Sequence, residues 1–158
     1  MSIYLELKDV DIKGDVTSKG FEDHIKIESF NFNASRDKQY GHDTAHKPAT
    51  LSNVMVSKFV DISSPSLLQA SFKGDHFTTA NFKFTRDIGS IVKTYMEYEL
   101  YDAYIMEYSF DSEGEAEPKE IITFAFTKIK YSYVDFTLQG KPRSKQTVSY
   151  DRNMNRAK

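Results

Sequence analysis

SSPSLLQASFKG, residues Ser63 to Gly74, is the one stretch of the chain that carries a full set of helix signals. Ser64 suits the N-cap, because its hydroxyl can accept from a free amide of the first turn. Pro65 follows at the first helical position, where a missing N–H costs nothing. Leu68 and Phe72 stand four apart and share a face, with Leu67 and Ala70 beside them, so these two are expected to pack on whatever the helix covers. Lys73 complements the negative C-terminal end, and Gly74 can take the left-handed conformation that stops the helix. The expected helix spans about 64–73. The flanks read as strand in both directions. The fold class that follows is mainly β, a two-sheet barrel or sandwich with one short helix and a long extended loop at about 36–53.

Upstream of the helix, Ile3, Leu5 and Leu7 alternate with Tyr4, Glu6 and Lys8, the period of a half-buried strand. Asp9 to Gly20 reads as a polar connection. Ile25 and Ile27 point one way, and Phe30 and Phe32 continue with the opposite parity. A strand changes its buried face only through an extra residue or a bend, which puts a corner between two sheets near Glu28 and Ser29. Arg36 to Asn53 has no convincing pattern and exceeds ordinary loop length, a property of functional or disordered loops. Val54 to Asp61 is a strand leading into the helix.

Downstream, His76 to Arg86 places Ala80, Phe82 and Phe84 on one face. A turn at Asp87, Gly89 and Ser90 leads to a strand ending at Tyr101, with Met96, Tyr98 and Leu100 inward. A further strand is expected to carry Tyr104, Met106, Tyr108 and Phe110 inward. Asp111 to Pro118 is an acidic hairpin loop. In Lys119 to Val134, Ile122, Phe124 and Phe126 share a face, then Ile129, Tyr131 and Tyr133 take the other parity, a second corner. Thr147 to Tyr150 is a last short strand. One domain covers 1–158, with 151–158 expected as a flexible tail.

Composition narrows the function classes. Lys plus Arg number 21 and Asp plus Glu 23, for a formal charge of -2, which argues against a global nucleic-acid or membrane-surface role. With no cysteine there is no disulfide framework, thiolate metal site or thiol nucleophile. The start, MSIYLELKD, lacks the basic and apolar regions of a secretory leader, and no run approaches a membrane span. No nucleophile elbow, phosphate loop or dinucleotide fingerprint is present. His42 and His46 stand four apart around Asp43, but Gly, Thr and Pro surround them and no third ligand is evident, so a solvated loop is the expectation. His24 and His76 sit at strand starts and read as packed or exposed. Tyr131 and Tyr133 offer stacking surfaces for bases, yet they continue a core-like alternation. The expectation is a non-enzymatic protein with no cofactor, metal, nucleic-acid partner or membrane insertion, whose function lies in its surface.

With these pieces placed, IYLELKDVDIKGDV followed by IKIESFNFNAS resembles the haemolysin-coregulated protein (Hcp) family of type VI secretion. The central SKFVDISSPSLLQASFKGDHF is similar to that family's T-K-x-x-D-x-x-S-P-x-L-x-x-A-x-x-x-G-x-x-F. ITFAFTKIKYSY is similar to its late strand. His24 stands where the family often has Trp, Asn31 and Asn33 replace its Trp-Gly step, and Tyr131 replaces a late Trp. The resemblance implies a barrel with one helix, and homohexameric rings that stack into a tube inside a contractile, phage-tail-like machine. It implies sheath, baseplate and spike, and effector proteins as partners. It also implies a location in the bacterial cytoplasm before firing and secretion without a cleavable signal. The loop is long enough to reach an adjacent ring, and Gln39, Tyr40, His42 and His46 are the expected ring-stacking residues. The alternatives are a phage tail-tube protein, a β-barrel binding a small apolar ligand, and a hydrolase built on strand carboxylates.

Overall fold

Alternating apolar residues build the strands, and two changes of phase close them into a barrel. In the computed structural model, which describes residues 1–36 and 48–158, β1 (Ser2–Leu7) pairs antiparallel with β2 (Ile25–Ile27). Its other edge pairs with β7 (His76–Ile88), which forms a hairpin with the 21-residue β8 (Ile91–Asp111). A second layer consists of β3 (Ser29–Asn31), β6 (Val54–Phe59), β9 (Lys119–Ala125) and the far end of β8. The circuit closes because β2 and β3 are one piece of chain bent at Glu28, whose amide donates to the Ser57 carbonyl at 2.8 Å. The second corner lies at Phe126 and Thr127, where β9 gives way to β10 (Lys128–Phe136) and pairing moves from the far end of β8 to its middle. Both corners fall where the sequence changes parity.

Leu5, Ile27, Val56, Phe82, Leu100 and Phe124 fill the interior. Each contributes roughly 1.5–3 kcal/mol by leaving water. The connection after β1 covers the outside of that strand, and Phe21 stacks on Tyr4 at 4.7 Å between ring centroids. Gly14 belongs to this cover. A Cβ there would sit 2.2 Å from the His24 carbonyl oxygen, so the close approach requires glycine.

α1 (Ser64–Lys73) has the predicted length, and Gly74 ends it at φ 67° with its amide on the Ala70 carbonyl. Its start and its rotation differ from expectation. Ser63 is the N-cap and its amide is held by the Asp61 carboxylate at 2.9 Å. The buried face is Ser64, Leu67 and Ala70, whereas Phe72 is 79% exposed and Leu68 only half-buried. The rotation follows Ser64, whose hydroxyl is drawn beneath the helix to a buried charge pair.

Other corrections concern β8 and the C-terminal strands. β8 is one strand, and its inward parity passes from Leu100 to Ala103 and Ile105 across Asp102, which has φ 49°. Met106 and Phe110, expected inside, are exposed, and the register shifts between Ile105 and Glu107. β11 (Pro142–Asp151) is ten residues long rather than four, and pairs with β10. Beyond it β12 (Arg156–Ala157) turns back onto Tyr150 and Asp151, so the segment expected as a tail is a paired return of the chain. β4 (Ala34–Ser35) and β5 (Thr50–Leu51) form a separate two-stranded sheet at the base of the long loop. Among the described residues no helix is long and apolar enough to cross a membrane.

Candidate assembly surfaces and their anchoring centre

The stem of the long loop is fastened by a residue from the other end of the sequence. Arg152 donates through Nη2 to the Leu51 and Ser52 carbonyls at 2.9 and 2.8 Å. Through Nη1 it reaches the Asn53 side chain at 3.2 Å and the Phe126 carbonyl at 3.3 Å. Its guanidinium lies 4.0 Å from the Phe126 ring centroid. Burial lowers its pKa from the ordinary arginine value, yet the planar fork satisfies several acceptors at once. On the opposite side of the stem, the Asn33 amide donates to the Ser52 hydroxyl at 2.8 Å. Asn33 in turn accepts from the Ser52 amide. Gln39, Tyr40, His42 and His46 lie outside the described residues.

Below α1 sits a buried ionic centre. Lys58 and Glu120 are 0% and 1% exposed, and their charged atoms are 2.6 Å apart across the β6–β9 pair. The Lys58 ammonium also donates to Asp61 Oδ1 at 2.9 Å, to the Phe59 carbonyl at 2.8 Å and to the Ser64 hydroxyl at 3.2 Å. Ser64 donates to Glu120 at 2.9 Å, and the Tyr108 hydroxyl donates to the other Glu120 oxygen. Burial first, and the Glu120 carboxylate next, raise the Tyr108 pKa. Two charges are tolerated in a dry interior only when paired and fully hydrogen-bonded, and this arrangement meets both conditions. The centre thus ties β6, β9, β8 and the start of α1 together. Three of its residues, Lys58, Asp61 and Ser64, stand in the central sequence block, a signal present in the sequence whose meaning needs the fold.

Two further surfaces are open. β11 is exposed from Pro142 to Val148, and among the described residues its outer edge is paired only near Tyr150 by β12. Beside it lies an apolar groove of about 470 Å³, lined mainly by Phe32, Leu51, Tyr98, Ile129, Tyr131 and Val148. Tyr131 packs against Tyr98 at 4.7 Å, and burial raises the Tyr98 pKa. Tyr133 meets Tyr95 edge-on at 6.1 Å, so both late tyrosines pack against neighbours on β8.

The described histidines take structural places. His24 packs edge-on against Phe21 and Tyr4, with its Nε2 3.2 Å from Lys83 Nζ. His76 is exposed, stacked on Tyr104 and 2.8 Å from Asp102. Among the described residues no group of three or more His, Asp or Glu side chains is placed to hold a metal.

The comparisons with known proteins agree with this architecture. The family described as "Type VI secretion system effector, Hcp" matches residues 4–133. A solved structure described as a type six secretion system protein is similar, with TM-score 0.87, 21% identity and 99% of each chain covered. Hcp1 from Salmonella typhimurium gives TM-score 0.75 and 20% identity over 99% of this chain and 98% of that one. A type VI secretion system effector from Yersinia pestis gives 0.72 and 21% over 94% and 98%. No curated protein sequence matches the chain.

Proposed function

This chain belongs to the Hcp family of type VI secretion proteins, and from that membership we propose that it is a structural subunit of the secretion tube. Six copies close into a ring, rings stack, and the tube is expelled with its spike while carrying effector proteins in the lumen. Sheath, baseplate and spike are its partners in the machine. The subunit is made in the bacterial cytoplasm and leaves it on firing. The family match over 4–133 carries this reading. The open edge of β11 supports it, because an unpaired strand is a ready template for a neighbour's backbone. A ring needs a heterologous contact whose rotation closes, and a free edge on one flank of a barrel suits such a contact. Gln39, Tyr40, His42 and His46 are proposed to make ring-to-ring contacts, on a loop whose stem Arg152 holds in place.

The experiment is the mass of the purified protein by light scattering, with negative-stain images of the same sample. Rings of six, alone or in short stacks, are the expected outcome. A monomer at every concentration, with no rings in the images, counts against the tube reading.

The apolar groove between Leu51 and Val148 favours a second reading, a site for a small apolar ligand. N-phenyl-1-naphthylamine fluorescence tests it. Saturable binding that Val148→Trp abolishes supports a ligand site, and no change in fluorescence removes it.

A further inference from the structure

Met106 is the extra residue of a β-bulge in β8. Ile105 pairs with Phe124 and Glu107 with the adjacent Thr123, so Met106 stands between them without a register partner among the described residues. A bulge re-aims the side chain that it carries. Here the thioether reaches the stem of the long loop, where Asn53 Nδ2 donates to Met106 Sδ at 3.0 Å. The residue is nonetheless 62% exposed, which leaves it open to small solutes. Met1, Met55 and Met154 are also exposed, but the hydrogen bonds that hold the stem run through none of them among the described residues.

Asn53 links this sulfur to the clamp on the stem. Its Oδ1 accepts from Arg152 Nη1 at 3.2 Å, and Arg152 Nη2 holds the Leu51 and Ser52 carbonyls. The two contacts together fix the orientation of the amide. A guanidinium only donates, so the amide oxygen faces Arg152, and a thioether only accepts, so the amide nitrogen faces Met106. Ser52 completes the relay. Its amide donates to the Asn33 carbonyl at 2.8 Å, and its hydroxyl donates to the Asn53 carbonyl at 2.9 Å. One exposed sulfur thus stands at the end of a chain of hydrogen bonds that closes the β4–β5 stem.

We propose that Met106 is an oxidation site through which a peroxide loosens the stem of the long loop. The thioether sulfur gives an electron pair to one peroxide oxygen. An S–O bond forms and the O–O bond breaks, the sulfur is oxidised to the sulfoxide, and the second oxygen leaves as water with both protons. The lone pair that faces solvent is the one that reacts, since the Asn53 amide occupies the other. The sulfur then carries partial positive charge and accepts poorly. Asn53 Nδ2 loses its acceptor, and the amide that receives Arg152 Nη1 is no longer held from both sides. Methionine sulfoxide is reducible by its dedicated reductases, so the change can be undone. The site goes beyond the tube reading and does not need it, because the whole relay lies within one subunit.

The chain has no cysteine, so methionine sulfur is the group that mild peroxide oxidises. The purified protein is treated with hydrogen peroxide, and peptide masses locate each added oxygen. Backbone hydrogen exchange is then read at the Ser52 amide by mass spectrometry with residue-resolved fragmentation. The expected result is sulfoxide at Met106 and exchange at Ser52 faster by about fivefold, the factor that matches the net contribution of one hydrogen bond. Treatment with methionine sulfoxide reductases of both epimer specificities returns the original rate. Met106→Leu exchanges at one rate before and after peroxide, whereas the double variant Met55→Leu/Met154→Leu keeps the full response. Unchanged or slower exchange at Ser52 with Met106 oxidised overturns the proposal. So does peroxide that oxidises Met154 and leaves Met106 reduced, or an equal response from Met106→Leu. Light scattering on the untreated protein is read separately, and rings of six without the Ser52 response remove this site and leave the tube reading in place.

Discussion

Lys58 and Glu120 show why a buried charge pair is a matter of specificity as much as of stability. Each ion loses its water, and the loss is offset by the other ion and by Phe59, Asp61, Ser64 and Tyr108. Removing one partner leaves the other stranded. Lys58→Met is expected to cost about 3–5 kcal/mol in urea unfolding, and the double variant Lys58→Met/Glu120→Leu to recover part of that loss. A double variant no better than the single one would show that the pair is not the unit that matters. Glu6 gives the acid limb of stability. The hydrogen bond from Lys83, at 2.8 Å, is the main cause holding its pKa below the ordinary 4.5, against the opposing effect of burial. A depressed folded-state pKa means that the contribution is fully present above pH 4.5 and is lost as pH falls through the folded value. Glu6→Gln is therefore expected to narrow the stability difference between neutral pH and about pH 3, measured by urea midpoints.

At the scale of elements, α1 is a case where the helix was readable and its rotation was not. The pattern of Leu68 and Phe72 offers one face and that of Ser64, Leu67 and Ala70 another, and the buried ionic centre selects the second. Leu67→Ala is expected to cost about 2–5 kcal/mol, because Leu67 is wholly buried. Phe72→Ser is expected to change stability by only about 0.5 kcal/mol, as for an exposed position. Thermal melts of the two variants check the order, and a reversed order would return Phe72 to the core. The stem of the long loop is the second such element. Arg152→Ala removes four donated hydrogen bonds and is expected to cost about 2 kcal/mol, a net figure after water replaces some of them. Arg152→Lys restores little of it, because an ammonium cannot reproduce the fork.

For the whole molecule, the barrel uses most strand edges on itself. β1, β2, β3, β6, β9, β8 and β7 close a circuit, and β10 to β12 extend one layer outward. The free backbone is thereby concentrated on β11, and the long loop leaves from a small sheet braced by Arg152. The open edge of β11 and the loop stem lie apart from the buried interior in this arrangement. Deleting Tyr40 to Lys47 is thus expected to abolish tubes in electron micrographs while circular dichroism shows a folded β subunit. Normal tubes from the deleted chain would exclude the loop from ring stacking.

The sequence by itself determined the local events. The helix at 64–73, its stop at Gly74, the corners near Glu28 and Thr127 and the acidic hairpin loop follow from dihedral preference, capping and the period of two, which act between residues close in the chain. The central block also carried the resemblance that the family match over 4–133 bears out. What only the tertiary structure decided involves residues far apart. Ser64 turns α1 toward Glu120, 56 positions on. Arg152 holds Leu51, 101 positions back. β11 has no apolar face to announce it, since an edge strand is held by backbone bonds to β10 and every side chain from Pro142 to Val148 is exposed. The inward parity of β8 flips across Asp102, which sits at φ 49° within an antiparallel pairing to β7 that spans the flip. Local propensity is written residue by residue, whereas burial and pairing belong to the pair, and a pair exists only once the chain has closed.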